Sequence, residues 1–171
     1  MELMNKELLK ILEARERRWK IRKILVEKRG RCLITITLCL PIPFRTEEKF
    51  WTLFYKMCRA FYRNLVSKGH RVHFEGCIRS HDGPVFFISA KTNAMEIKKL
   101  CVEAEEVLPG GRILDIDVMD TDGTTIGRSD LMLPPRKCFI CENPAAICVS
   151  RRIHSTNEIS KFVKKVKEQI K

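Results

Sequence analysis

The sequence lacks an apolar run that could cross a bilayer. Its longest apolar stretch is "CLITITLCLPIP" at residues 32–43, where threonine and proline interrupt the run. A transmembrane helix needs roughly 20 consecutive apolar residues. The opening "MELMNKELLK" is charged and lacks the apolar region of a secretory signal. We therefore expect a cytoplasmic protein that does not enter a membrane.

Aromatic side chains, which make up 8% of the chain, are scarce within its basic runs. Proteins that bind single-stranded nucleic acids usually stack bases on aromatic rings within a basic groove. The scarcity argues against a nucleic-acid partner, although a small basic nucleic-acid-binding module stays open as an alternative.

The net charge of +12 is unevenly distributed. Residues 1–31 and residues 136–171 each carry an excess of six positive charges, whereas residues 32–135 are balanced. Basic ends of this kind suit a polyphosphate, a nucleic acid or an acidic protein. The alternative is two solvated basic helices without a ligand.

Hydrophobic periodicity and turn residues predict one domain of the α+β class, with a mostly antiparallel sheet flanked by helices. We divide the domain into a basic N-terminal helix (1–31), a sheet core (32–135) and a C-terminal segment with a basic helix (136–171). Thr46 and Asn93 are the expected caps of two internal helices. The predicted helices cover 2–28, 46–68, 93–107 and 156–170, and the predicted strands cover 32–40, 71–79, 84–90 and 112–119.

The last of these strands contains an aspartate pair, in "GGRILDIDVMD" at residues 110–120. Because strand side chains alternate between faces, Asp115 and Asp117 point away from the apolar residues between them. Two carboxylates about 5 Å apart repel by roughly 3 kcal/mol at an effective dielectric near 20, and a divalent cation removes that penalty. The pair therefore indicates a Mg²⁺ site. The alternative is a polar strand face whose aspartates pair with lysines.

Three cysteines and a histidine form a second group, with the spacing C-x2-C-x6-C-x5-H. They are Cys138, Cys141, Cys148 and His154. Three thiolates and one imidazole can close a tetrahedral structural zinc site. The alternatives are a reduced, partly buried cysteine cluster, and a histidine that contacts phosphate or acts as a general base. The other five cysteines are expected to be buried as small hydrophobic residues.

Several basic residues are placed to hold phosphates. Arg15 and Arg18 share one helix face with Arg22, for which a surface position is expected. The remaining candidates are Arg112 and Arg128, which flank the aspartate strand, and Arg136 and Lys137, which follow two prolines. Arginine guanidinium groups match phosphate oxygens bidentately.

The combined pattern over residues 103–155 resembles the holo-citrate lyase synthase family, the apo-citrate lyase phosphoribosyl-dephospho-CoA transferases. That family carries a Gly-Arg pair, a D-x-D-V strand, "LPPR", a basic residue with C-x-x-C, then A-x-x-C and a histidine. Residues on those places are Gly111, Arg112, Asp115, Asp117, Val118, Arg128, Asp130, Leu133, Pro134, Pro135, Arg136, Lys137, Cys138, Cys141, Ala145, Cys148 and His154. Arg15 and Arg18 resemble the family's first-helix R-x-x-R, and Glu103 and Glu105 resemble its acidic residues upstream of the strand.

The resemblance implies a nucleotidyltransferase-type enzyme. It attaches the 2′-(5″-triphosphoribosyl)-3′-dephospho-CoA group to a serine of the acyl carrier subunit of citrate lyase and releases diphosphate. The resemblance further implies that Asp115 and Asp117 hold Mg²⁺ and are catalytic together with His154. The donor is bound by Arg15, Arg18, Arg45, Arg112, Arg128, Arg136 and Lys137. The basic ends dock the acidic carrier, and no nucleic acid or membrane is involved.

The sequence departs from the family pattern in three places. Ile42 and Arg45 stand where the family tends to have glycine and lysine, Leu108 replaces a histidine, and Ser150 replaces an arginine. These changes concern how the donor or the carrier is recognised. A metal-dependent phosphohydrolase, with water as the acceptor at the same carboxylates, is the third alternative.

Overall fold

The computed structural model describes residues 2–169, with side chains from residue 6 onward except at positions 43 and 49. Its helices and strands, in chain order, are α1 (Glu2–Arg29), β1 (Cys32–Leu38), α2 (Ile42–Arg45), α3 (Glu48–Ser67), β2 (Arg71–Ser80), β3 (Gly83–Lys91), α4 (Ala94–Val107), β4 (Leu114–Met119), β5 (Thr125–Ile126), α5 (Ala145–Ser150) and α6 (Thr156–Gln169).

The strands form a single five-stranded sheet in the order β2-β3-β1-β4-β5, and every neighbouring pair is antiparallel. β2 and β3 are consecutive and are joined by the predicted Asp-Gly turn. β1 lies at the centre, so it pairs with strands from distant parts of the chain. The predicted α+β class with a mostly antiparallel sheet is confirmed.

One face of the sheet carries the main core, and helices cover it. Ile34, Ile88 and Ile116 point into this core from three neighbouring strands. The helices α3, α4 and α6 contribute, among others, Phe54, Phe61, Ile97 and Val163. Full burial of one such side chain contributes about 1.5–3 kcal/mol. The odd-numbered positions of β1 and β4 are therefore left for the opposite face.

The opposite face is half apolar and half polar. α1 covers the apolar half, where its Val26 packs with Leu33, Val85, Phe87 and Met119 of the sheet. On the polar half, the β1–β4 register places Thr35 opposite Asp117 and Thr37 opposite Asp115. Both aspartates thus lie on one face of the sheet, beyond the edge of the apolar contact with α1.

Four local expectations need correction. The first strand ends at Leu38 instead of residue 40, and "IPFR" at 42–45 forms the short helix α2. Thr46 does not cap α3, because Glu47 holds that position. Thr46 instead follows the last residue of α2, and its hydroxyl donates to the carbonyl of Ile42, the first residue of α2. The prolines at 41 and 43 lack the N–H that a strand donates, and the first turn of a helix tolerates them, which explains why a short helix replaces the end of the predicted strand. The fourth strand begins at Leu114, because residues 111–113 form a 3₁₀ turn.

Two other predictions of detail are confirmed. The Asn93 side chain accepts from the Met95 and Glu96 amides at 2.9 and 3.2 Å, so it caps α4. In α6, Val163 and Val166 of the predicted apolar stripe are buried, while Ile170 lies outside the described residues.

The isolated cysteines are buried to different degrees. Cys32, Cys58 and Cys101 are buried as expected, whereas Cys39 and Cys77 are half-buried. Burial raises the pKa of Cys32 to about 12. Within residues 2–169, none of the helices combines the length and hydrophobicity that a membrane crossing requires.

Candidate active site

Strand β4 positions the aspartate pair as the alternation predicts. Leu114, Ile116 and Val118 are buried in the main core. Asp115 and Asp117 point to the other face, where their side chains are 53% and 45% exposed. The apolar residues anchor the strand, so the two carboxylates are held side by side on a rigid element.

The free edge of β4 is covered by side chains instead of a full-length strand. β5 pairs only with Val118 and Met119. At Ile116 the backbone carbonyl accepts from the Lys98 ammonium at 2.8 Å, and the amide donates to the Glu105 carboxylate at 2.9 Å. Both side chains are buried and come from α4. An edge strand otherwise leaves these backbone groups unpaired.

The sequence analysis assigns no role to Lys98, although its position on the buried stripe of α4 could have indicated one. Lys98 and Glu105 lie seven residues apart, within the stripe of α4 that also buries Ile97 and Cys101. Charged residues at core positions of an amphipathic helix need buried partners. Nothing in the sequence shows that the partner is the backbone of a strand.

Arg136 completes the same edge. Its Nη2 donates to the Leu114 and Arg112 carbonyls at 2.6 and 2.7 Å, and its Nη1 lies 3.4 Å from Asp115 and 3.6 Å from Glu105. These contacts fix the guanidinium beside the aspartate pair. The sequence groups Arg136 with the phosphate-binding candidates without locating it, and the structure places it at β4.

The two aspartates differ in their electrostatic surroundings. Although about half of the Asp115 side chain is exposed, partial burial of its carboxyl group, and then repulsion from Asp117, raise its pKa; Arg136 opposes this shift without cancelling it. Asp117 lies 3.5 Å from Nη1 of Arg22. Each carboxylate therefore has a guanidinium at long hydrogen-bonding range and retains capacity for a further partner.

Arg22 is not the surface cation that the sequence predicts. Its side chain is only 13% exposed, because α1 lies across the sheet and points Arg22 at β4. Nε and Nη2 of Arg22 are buried without a hydrogen-bond partner among the described residues, as are the hydroxyls of Thr35 and Ser89. Buried polar atoms without partners are rare and costly. This polar pocket beside Asp117 therefore has unused donors.

A second group of arginines is organised by Asp82, whose side chain is fully buried. Arg18 donates to it directly, and Nε of Arg15 lies 3.9 Å away. Burial tends to raise the pKa of Asp82, but hydrogen bonds from Ser80 and Arg18 outweigh it and lower the pKa. Arg45 packs against the same turn: a Cβ added to Gly83 would lie 3.1 Å from its side chain. Arg15, Arg18 and Arg45 thus converge on the turn that contains Asp82.

The remaining predicted cations are paired with protein groups. Arg128 lies 3.0 Å from both Glu105 and Glu106, and Lys137 lies 2.6 Å from Glu142. Arg112 donates to the Cys138 carbonyl. A phosphate group would have to share or replace these partners.

Two adjoining clefts bring these residues together. The aspartate cleft, of about 530 Å³, is lined by Asp115, Asp117, Lys98, Arg128 and Arg136, among others. The arginine cleft, of about 310 Å³, is lined by Glu105, Glu106, Arg112, Arg128, Arg136 and Lys137, among others. Arg128 and Arg136 line both clefts, so a long polyphosphate ligand could extend from one cleft to the other.

His154 is not among the described residues that line these two clefts. Its Nε2 lies 3.3 Å from Cys141 Sγ, which is 3.5 Å from Cys148 Sγ. The three cysteines and His154 form what we term the Cys–His group.

Close packing also fixes the turn that precedes β4. A Cβ added to Gly111 would lie 2.1 Å from the Ala104 carbonyl oxygen. Only glycine allows the backbone to approach α4 this closely. The following Arg112 is thereby held near the free edge of β4.

Comparison with known proteins gives a consistent result. Residues 6–170 match the family model described as apo-citrate lyase phosphoribosyl-dephospho-CoA transferase. Curated proteins of that name from Escherichia coli (strain SMS-3-5 / SECEC) and Shigella boydii serotype 18 are each 27% identical over 149 residues, which cover 87% of this chain and 81% of theirs.

Proposed function

The chain belongs to the family of apo-citrate lyase phosphoribosyl-dephospho-CoA transferases, and from this premise we propose how it acts. It is an enzyme that transfers phosphoribosyl-dephospho-CoA to apo-citrate lyase. The donor we propose is 2′-(5″-triphosphoribosyl)-3′-dephospho-CoA, and the acceptor is a serine of the acyl carrier subunit. The serine oxygen attacks the phosphorus next to the ribose, a phosphodiester forms, and the bond to the departing diphosphate breaks.

The observation that carries this proposal is the aspartate pair at the base of a cleft lined with arginines. Asp115 and Asp117 retain acceptor capacity, and their guanidinium partners lie at 3.4 and 3.5 Å. A magnesium ion is commonly held by one or two carboxylates together with substrate phosphates. When bound there, Mg²⁺ would neutralise charge on the triphosphate. Oxygen ligands on adjacent exposed positions of one strand fit that ion.

Arg22 and Arg136 hold the phosphates from two sides in this proposal. Arg136 is fixed by two backbone carbonyls, so it needs little reorganisation to meet developing negative charge. Arg22 has two buried nitrogen donors without a partner. Phosphoryl transfer depends on positioning and charge neutralisation more than on a covalent nucleophile. The two guanidinium groups supply both.

The arginine cleft and the Asp82 group bind the rest of the donor in this proposal. Arg112, Arg128 and Lys137 contact the dephospho-CoA diphosphate or the departing diphosphate by exchanging their present partners. Arg15, Arg18 and Arg45 extend the basic surface on the other side of Arg22. His154, which lies in the Cys–His group, is given no role in the transfer.

The carrier subunit meets the basic ends of the chain in this proposal. Residues 1–31 and 136–171 each carry an excess of six positive charges, which suits an acidic partner. Electrostatic attraction of this kind raises the rate of encounter and weakens with salt. We therefore expect transfer at limiting carrier concentration to slow as salt is added.

A direct assay tests the function. The purified chain, the donor and Mg²⁺ are incubated with the apo carrier subunit, and the carrier is weighed by mass spectrometry. We expect a mass gain equal to the donor less diphosphate, and no gain on a carrier whose acceptor serine is replaced by alanine. The absence of a gain on the intact carrier would overturn the proposal. Diphosphate release without the carrier would indicate a phosphohydrolase instead.

Asp117→Asn tests the site within the same assay. It should abolish transfer, because the amide cannot replace a carboxylate that balances the charge of a metal ion. Asp122→Asn is the matched control, since Asp122 is an exposed aspartate in the turn after the same strand. Equal activity of the two variants would remove Asp117 from the site.

A further inference from the structure

The Cys–His group has the composition and the compactness of a metal centre. Its four ligand atoms, three Sγ and one His154 nitrogen, all lie within 4.8 Å of one another. In a tetrahedral site with Zn–S near 2.3 Å and Zn–N near 2.1 Å, ligand atoms lie about 3.5–3.8 Å apart. The contacts of Cys141 Sγ, 3.5 Å to Cys148 and 3.3 Å to His154 Nε2, are close to those spacings. We propose that Cys138, Cys141, Cys148 and His154 bind one Zn²⁺ ion as a structural site.

The backbone prepares the first two ligands. Cys138 and Cys141 lie on a tight loop whose ends are joined by Lys137 and Pro144 in an antiparallel bridge. The Cys138 amide donates to the Asn143 carbonyl at 2.8 Å, and the Ile140 amide points at Cys138 Sγ, 3.4 Å away. Amides directed at a cysteine sulfur favour the thiolate, which is the form that binds a metal.

The other two ligands come from the chain that follows. Cys148 lies on α5, and the Ile153 amide donates to the Cys148 carbonyl at 3.1 Å. That turn brings His154 back towards the cysteines. The ligands therefore derive from a loop, a short helix and the segment before α6, which have little other regular structure to join them.

A carboxylate lies near the second ring nitrogen of the histidine. Nδ1 of His154 lies 3.8 Å from the Glu158 carboxylate, and Nε2 points at the cysteines. Glu158 is itself held by the Ser155 amide and hydroxyl, both at 2.8 Å. Histidine ligands of zinc commonly present the second ring nitrogen to a carboxylate, which fixes the ring and the tautomer. This arrangement is independent of the cysteine spacing and points to the same ion.

The site is closed, which favours a structural role over a catalytic one. Cys138 and Cys148 are 4% and 5% exposed, and the His154 side chain is 12% exposed. Four protein ligands complete a tetrahedron and leave no position for a substrate. The Cys138 carbonyl accepts from Arg112, and Arg136 lies two residues before Cys138. Zinc would thus hold α5 and the start of α6 to the loop that places Arg136 at β4.

Metal analysis of the full chain tests the proposal. The protein is purified without chelator in a phosphine reductant, and its zinc content is measured by inductively coupled plasma mass spectrometry. We expect one zinc per chain, released when a mercurial reagent titrates the thiols in the presence of a zinc indicator. A chain without zinc after refolding in excess zinc would overturn the proposal, as would a Cys141–Cys148 disulfide in the freshly purified protein.

Variants locate the site. Cys141→Ser and His154→Ala should each lose the zinc, whereas Cys77→Ser should keep it, since that half-buried cysteine lies on β2. Zinc retained in full by Cys141→Ser would also contradict the assignment. Should a variant fail to fold, Co²⁺ exchanged into the unmodified chain gives the answer. A thiolate charge-transfer band with intense tetrahedral d–d bands supports the site, and a weak octahedral spectrum refutes it.

Discussion

Arg22 of α1 lies 3.5 Å from Asp117 of β4, although 95 residues separate them in the chain. The contact exists because α1 covers the apolar half of this sheet face and directs Arg22 from there towards Asp117. This arginine contacts one aspartate, and its Nε and Nη2 are buried without a hydrogen-bond partner among the described residues. The first helix therefore contributes to the proposed active site.

Replacement of Arg22 should impair transfer more than folding. Arg22→Gln removes the guanidinium, and we expect kcat/KM to fall by about 10²–10³, as for the loss of one preorganised donor to a charged transition state. Arg22→Lys should recover only part of the activity, because it keeps the charge and loses the planar donors. Steady-state kinetics with the carrier assay measures both.

The neighbouring Lys23 provides the control. It is exposed and lies over the Trp19 ring, so Lys23→Gln changes the charge of the same helix without touching the pocket. Its kcat/KM should remain near that of the unmodified chain. Equal losses for the two positions would show a general electrostatic effect of α1 in place of a specific contact.

Asp115 should make the fold less stable at neutral pH than at acid pH. A carboxyl whose pKa is raised on folding stabilises the folded state below its unfolded pKa, near 3.9, and loses that contribution as pH rises through the raised value. Asp115→Asn cannot ionise, so it should raise Tm at pH 7 relative to the unmodified chain. The difference should vanish well below the unfolded pKa, where the aspartate is neutral in both the folded and the unfolded state.

Thermal unfolding at several pH values measures this difference. Asp122→Asn should instead lower Tm at pH 7, because hydrogen bonds from the Thr124 backbone and side chain lower the pKa of Asp122 in the fold. If Asp115→Asn and the unmodified chain have the same Tm at pH 7, ionisation of Asp115 does not destabilise the folded state.

Magnesium binding should offset the destabilisation caused by the ionised aspartate pair. A ligand that binds only the folded state raises its stability in proportion to the logarithm of concentration above Kd. We therefore expect Mg²⁺ to raise the Tm of the unmodified chain in the absence of donor. Asp117→Asn should lose this increase, while Asp122→Asn should keep it. An equal increase in all three proteins would indicate a general ionic-strength effect.

The sequence predicts those features of the site that depend on local periodicity. Alternation along "LDIDV" places both aspartates on one face, and the structure agrees. Asn93, followed by an amphipathic stripe, predicts a capped helix, and its side chain accepts the two expected amides. Each of these inferences needs only a few neighbouring residues.

Contacts between distant segments could not be predicted in this way. The turn residue Asp82 binds Arg18 across 64 residues, and only the packing of α1 on the sheet brings them together. Helical periodicity gives the face shared by Arg15, Arg18 and Arg22 but not what that face meets. Arg22 was assigned to the surface for that reason. The sheet order likewise depends on non-local pairing of β1 with β3 and β4.

Lys98 offers a test of the side chains that cover the free edge of β4. Lys98→Met leaves the Ile116 carbonyl buried without its donor, and it removes a positive charge that lowers the pKa of Asp115. We expect the free energy of unfolding to fall by about 1–3 kcal/mol, the cost of an unsatisfied buried polar group. Lys99→Met is the matched control, because Lys99 is the next residue of α4 and is exposed. Urea unfolding at pH 7 should separate the two variants, and equal stabilities would show that the Ile116 carbonyl finds another donor.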